Sequence, residues 1–178
     1  YTDGKVSTQQ GSLAGENAGH WYSGLENPEY VSLGAATNGS GEFQAAAFNG
    51  RLAHVMVFDR VLSADEIQLD WQRIAELDGL QFWLDAADLD ADPETENPQA
   101  GENVEVWKDK VAGIELSGIG GDRIPQLATL PESTVPAVVF DGDFLRGSAD
   151  GLPFLKDKEG TVITVFSSQD DDESYIFE

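Results

Sequence analysis

Between Asp85 and Asn97 the chain carries Asp85, Asp88, Asp90, Asp92, Glu94 and Glu96, close to alternate positions. Carboxylates at that spacing can turn several oxygens toward one hard cation, and calcium accepts roughly six to eight oxygen ligands in tolerant geometry. Asp88, Asp90, Asp92 and Glu94 are therefore the candidate calcium ligands. The run is not an EF-hand. Counted from Asp88, Pro93 stands where that loop needs glycine, and Gln99 where it needs a bidentate glutamate. The alternative is a solvated acidic loop with turns at Pro93 and Pro98. Asp141 and Asp143 offer a second carboxylate pair, although Asp141 in Phe140-Asp141-Gly142 also suits a turn.

Other chemistry finds fewer residues to work with. His20 and His54 are the two histidines and there is no cysteine, so a zinc site lacks its ligand spacing. His54 lies in an alternating apolar run, the setting of a structural imidazole. No Gly-x-Ser-x-Gly elbow is present, and neither histidine stands beside a convincing serine. Ser117-Gly118-Ile119-Gly120-Gly121 lacks the Gly-Lys-Ser/Thr ending of a phosphate loop. Glycoside hydrolysis needs two carboxylates facing across a cleft. The segment 104–106 supplies Glu105 alone, and 50–58 supplies none. Hence no enzyme activity is expected. Trp21 and Tyr22, in a polar glycine-rich loop beside His20, could stack on sugar rings or pack the loop; they are the candidate glycan contacts.

Charge narrows the partners. Ten basic side chains stand against 33 acidic ones, a formal net charge of -23. Nucleic acid is not expected as a partner, because phosphate binding needs a basic footprint. Insertion into a membrane is not expected either, since no run of about 18 apolar residues occurs. The missing cysteines remove disulfides and thiolate metal sites without deciding the compartment. Hydrophobic residues make up 40% of the 178-residue chain, enough for one full core or two incomplete ones. Nineteen glycines and seven prolines, spread along the chain, suit short strands joined by turns.

The elements that must position these groups centre on residues 48–67. Asn49-Gly50 is a turn, Leu52 to Phe58 an apolar strand, and Ser63-Ala64-Asp65-Glu66 a capping box that starts a helix. The helix is predicted from about Ala64 to Asp78, with Ile67, Trp71, Ile74 and Ala75 on one face and Gly79 as its cap. Upstream, Tyr1 to Val6 is predicted to be a hairpin turning at Asp3-Gly4, and Glu29 to Leu33 a strand. Asn38-Gly39-Ser40 has the form of a glycosylation acceptor or a turn. Downstream, the run of β-formers at 161–166 is predicted to be a strand, with a further short one at 174–177 and an exposed turn at Asp170 to Glu173 between them. Trp71, Trp83 and Trp107 are expected in the core.

Phe48-Asn49-Gly50-Arg51-Leu52 through Asp59-Arg60-Val61-Leu62-Ser63 and Glu66-Ile67 resembles the closing strand and terminal helix of laminin-G-like, concanavalin A-like jelly rolls of bacterial extracellular proteins. Tyr1-Thr2-Asp3-Gly4-Lys5 resembles an element preceding that close. Leu80 to Ala86 (Phe82-Trp83-Leu84-Asp85) resembles the opening of such a domain, followed by Val104 to Lys110 and by Pro136 to Leu145 in family order. The resemblance thins at Val111-Ala112-Gly113. It implies an all-β, concanavalin A-like (laminin-G-like) jelly-roll sandwich with one linking α-helix. Residues 1–78 would be the C-terminal part of one domain and 79–178 the N-terminal part of the next, excerpted from a longer precursor. The expected role is a non-catalytic structural or adhesive segment of a secreted or cell-surface protein, stabilised by calcium. The alternatives are a carbohydrate-binding module of a polysaccharide-degrading enzyme and a repeating subunit of a filament or lattice. The apolar sheet faces would be covered by packing of the halves on each other, or by neighbouring domains or subunits that complete the sandwich.

Overall fold

The computed structural model describes residues 29–37, 43–45, 47–69, 71–118, 123–150, 152, 154, 159–169 and 176. The expected 1–6 hairpin, the turns at 38–40 and 170–173 and the 174–177 strand lie wholly or largely outside them.

Strand β4 (Asn49–Phe58) is the hub. Along one edge it pairs antiparallel with β11 (Thr161–Ser168), from Phe58 opposite Thr161 to Gly50 opposite Ser168. Its other edge is divided. Asn49 to Leu52 face β9 (Pro136–Asp141), and His54 to Phe58 face β5 (Leu80–Asp85). Strict alternation would put Leu52 and Val55 on opposite faces, yet both belong to the main core. The register supplies the reason. His54 pairs with Val165 and Leu52 with the next residue, Phe166, so Ala53 is bulged out of the ladder. The bulge returns Leu52 to the face shared by Val55 and Val57. Met56 and Phe58 point the other way into a second apolar cluster. With both faces covered, the strand is a continuous hydrophobic run.

Pairing of β9 with β8 (Gln126–Thr129) completes this five-stranded sheet. A second sheet runs β1 (Tyr30–Leu33), β10 (Leu145–Ser148), β7 (Glu115–Gly118), β6 (Val106–Lys108), also antiparallel. A small ribbon joins β2 (Ala36–Thr37) to β3 (Phe43–Ala45). Val31, Leu33, Trp107, Leu116 and Leu145 of one sheet and Leu52, Val55, Phe82, Leu84, Val138 and Phe140 of the other form one buried cluster, the filling of a sandwich-like pair of sheets. Segments on either side of residue 79 share both sheets, through β1 with β10 and through β4 with β5, β9 and β11. Phe58 and Phe140 are fully buried. The fold class is all-β with antiparallel sheets and almost no helix.

Gly34, at φ 86°, turns the chain between β1 and β2. A Cβ there would lie 2.4 Å from Phe140 Cδ1, so only glycine lets the backbone approach the core ring this closely.

The single helix expected over 64–78 is corrected to two four-residue turns, α1 (Ala64–Ile67) and α2 (Trp71–Ile74). Its start is as expected. Ser63 Oγ accepts from Glu66 N at 3.3 Å, and Glu66 Oε2 accepts from Ser63 N at 2.8 Å. Arg60 adds two bonds to the Glu66 carboxylate, at 2.7 and 3.2 Å. Its hydrogen bonds, with those from Ser63, hold Glu66 down to about 2. The break has a packing cause. Ile67 and Leu69 lie roughly 200° apart on an unbroken helix, yet both pack against the cluster of Met56, Phe58, Leu62 and Ile74, as do Ala75 and Leu77. Kinking the segment lays more apolar surface on the outer face of β4 than one straight stripe can.

Candidate functional site

The sheet places four charged or ionisable side chains of three segments together in its wall. His54 on β4 lies opposite Asp85 on β5, and Nδ1 stands 3.5 Å from Asp85 Oδ1. Lys110, in the turn after β6, places Nζ 3.2 Å from Asp85 Oδ2 and 2.7 Å from Asp88 Oδ2. The same ammonium sits 4.5 Å from the Trp83 ring centroid. Asp109 holds this turn in place. Its carboxylate accepts from the backbone N–H of Trp83 at 2.6 Å, of Val111 at 3.2 Å and of Ala112. Lys110 N returns a bond to Trp83 O at 2.9 Å. Thus the Trp107-Lys108-Asp109 motif staples the far edge of β5.

The electrostatics follow from burial and pairing. Burial pushes His54 below its ordinary value, Asp85 opposing and Lys110 assisting. Burial works against the Lys110 charge too, but hydrogen bonds and attraction from Asp88 and Asp85 outweigh it and hold the group above its ordinary value. Burial raises Asp109 in spite of its backbone donors. A His–Asp pair is the base half of a catalytic triad. Here the imidazole is only 2% exposed, so no dissolved substrate can reach it. What the arrangement can do is carry charge inside a wall.

A pH effect follows, with its sign fixed by the imidazole. Folded His54 resists protonation, so as pH drops below 6.5 the unfolded chain takes up the proton first. Stability is full above that value and is lost progressively down to the lowered folded value. Melting temperature should fall between pH 7.5 and 5.5, and His54→Gln should flatten that slope. An unchanged slope in the variant would assign the effect to other groups.

Of the candidate calcium ligands, the structure separates Asp88 from the rest. Asp88 turns inward to Lys110. Asp90, Asp92 and Glu94 are exposed on a staircase of turns, in which Asp90 Oδ1 accepts from Asp92 N and Asp92 Oδ1 from Glu94 N, each at 3.1 Å. Ala91 has φ 57°. Asn97 closes the loop by accepting from Leu89 N at 3.0 Å and donating to Ala86 O at 3.2 Å. As placed, the four carboxylates do not converge, and among the described residues no three His, Cys, Asp or Glu side chains gather to hold a metal. Asp143 accepts from Asp141 N at 3.1 Å, closing the turn at Gly142. Trp21 and Tyr22 lie outside the described residues.

Two surface features had no sequence signal. A recess of about 240 Å³ runs beneath the acidic loop, with Leu89 and Val104 as floor and Asp90, Glu96 and Asn97 at its rim. A wider concavity of about 710 Å³ lies between Arg51 and the 129–134 turn. Arg51 Nε is shut from solvent there, with no hydrogen-bond partner among the described residues. The recess is made within the single stretch 89–106 as it folds back on itself, whereas the concavity brings Arg51 to a turn distant in sequence.

No protein-family model matches this chain, and comparison with curated proteins and with solved structures gives no match.

Proposed function

We propose that this chain is a non-catalytic structural or adhesive segment of a secreted or cell-surface protein, built as a concanavalin A-like (laminin-G-like) jelly roll. The observation that carries the reading is the fate of its chemically capable groups. Asp85, Asp88, Lys110 and Asp109 are spent on one another and on backbone within the wall, and His54 is buried beside Asp85. The residues facing outward along 90–96 are mostly carboxylates on a self-bonded turn. A surface of this kind suits contact and cation binding better than turnover.

Calcium belongs to the same proposal, taken up by the exposed carboxylates of Asp90, Asp92 and Glu94, with Asp88 recruited only at the expense of Lys110. A ligand bound by the folded chain alone stabilises it by about 2.7 kcal/mol at a hundredfold excess over its dissociation constant. That corresponds to a rise in melting temperature of roughly 5–10 °C for a chain of this size. The test is a melt in millimolar calcium against one in chelator, repeated on Asp90→Asn/Asp92→Asn. Equal melts for the natural sequence would remove calcium from the reading. Release of reducing ends from a panel of polysaccharides would overturn the non-catalytic assignment. Retention on a polysaccharide gel, abolished by Trp21→Ala, would favour the carbohydrate-binding alternative.

A further inference from the structure

We infer that β11 is a docking edge for a second copy of this chain, which adds its own β11 antiparallel across a twofold axis. The edges of the five-stranded sheet are treated differently. The outer edge of β5 is bonded by the Asp109–Lys110 turn, through Trp83 N and Trp83 O. The outer edge of β8 is bonded by residues 101–103, through Gly101 N to Leu127 O, Leu127 N to Glu102 O and the Asn103–Gln126 bridge. For β11, the described residues provide no partner strand other than β4. Natural proteins blunt open edges with charge, proline, bulges or short strands. Thr161-Val-Ile-Thr-Val-Phe-Ser-Ser168 has no charge, proline or glycine in eight residues. Every one of them is partly or fully exposed, and the Phe166 ring is 46% exposed. By contrast Val31, Ser32 and Leu33 on the β1 edge of the other sheet are buried.

Self-complementarity identifies the occupant. Residues opposite each other in an antiparallel pair share a face, and faces alternate along each strand. A twofold axis normal to the sheet at Thr164 therefore pairs Thr164 with its own copy, Ile163 with Val165, Val162 with Phe166 and Thr161 with Ser167. The central Thr164 pair is hydroxyl–hydroxyl and its neighbours are branched–branched and branched–aromatic, the kinds that stabilise cross-strand contact, while the Thr161 hydroxyl stays bonded to Arg60 O and Leu62 N within its own chain. Moving the axis to Val165 sets Phe166 against Thr164 and Ile163 against Ser167, and the match is lost. An uncharged strand is also where two chains of charge -23 approach with least repulsion. The twofold contact is isologous and closes at two copies.

The absence of cysteine from the 178 residues makes the test clean. Directly opposed residues of an antiparallel pair have Cα atoms about 4.5–5.5 Å apart, within disulfide reach. Thr164→Cys should cross-link to a dimer under mild oxidation, while Ile163→Cys and Val165→Cys should do so far more slowly. Sedimentation of the full chain should show a concentration-dependent rise to twice the monomer mass, strengthened by added salt as the net charge is screened. Val165→Lys should weaken that dimer about tenfold, with the melting curve of the dilute monomer serving as the check on folding. A monomer at all concentrations, equal cross-linking at the three positions, or growth beyond the dimer would each overturn the inference.

Discussion

Replacing Lys110 with methionine is expected to cost about 3 kcal/mol of unfolding free energy and to lower the melting temperature by roughly 6–12 °C. The reason is the company its ammonium keeps. Asp85 and Asp88 side chains are 6% and 11% exposed, while the lysine is 23% exposed. Methionine keeps an unbranched apolar chain but removes the ammonium over Trp83 and leaves two enclosed carboxylates without their cation. Removing one partner of an enclosed ion pair costs far more than the pair contributes, because desolvation of the survivors is uncompensated. Denaturant melts of the single variant and of Asp85→Asn/Lys110→Met measure this. The double change should be less costly than the sum of the two single ones. A Lys110→Met loss below about 0.5 kcal/mol, the size of an exposed pair, would show that solvent already carries the charges.

Trp107→Ala should have the larger effect, about 4 kcal/mol, or roughly 8–16 °C in melting temperature. The indole is fully buried between the sheets, on the same core as Leu116, Phe82 and Leu84. Its Nε1 has no hydrogen-bond partner among the described residues. Trp107→Phe distinguishes packing from polarity. Phenylalanine fills most of the volume and removes an N–H whose burial without a partner costs about 1–3 kcal/mol, so a loss of under about 1.5 kcal/mol is expected. If Phe and Ala prove equally damaging, the N–H is satisfied and the indole is held by more than apolar contact. Against a total stability of about 5–15 kcal/mol, the alanine variant should unfold in the warm range where the parent survives.

Part of this arrangement was legible in the residues. The runs at 52–58 and 161–166 lie wholly in strands, 80–86 and 136–142 all but their last residue, and of 104–110 only 106–108. The Ser63–Glu66 capping box is made as the spacing required. Trp107 is in the core and His54 is buried. The helix is shorter than its spacing suggests because Ile67, Trp71, Ile74 and Ala75 taken by themselves form one stripe. Leu69 and Leu77 join the cluster that Met56 and Phe58 of β4 help to build, a surface absent from the local sequence. Alternation likewise gave no sign of the bulge at Ala53, because the slip is defined only against β11. Asp88 looked like its acidic neighbours, yet Lys110 pulled it out of their set.

What the sequence by itself determined is local: where turns fall, where a helix starts, which runs are apolar on one or both faces, and how acidic the surface must be. Those follow from dihedral preferences and hydrogen bonds spanning a few residues. Tertiary structure alone decided that β4 would have three strand neighbours, that β1 would meet β10, and which carboxylates would lose their water to a lysine. Those outcomes depend on which distant segment arrives at an open edge and how much solvent it displaces. Neither quantity exists until the sheets have closed on their shared core.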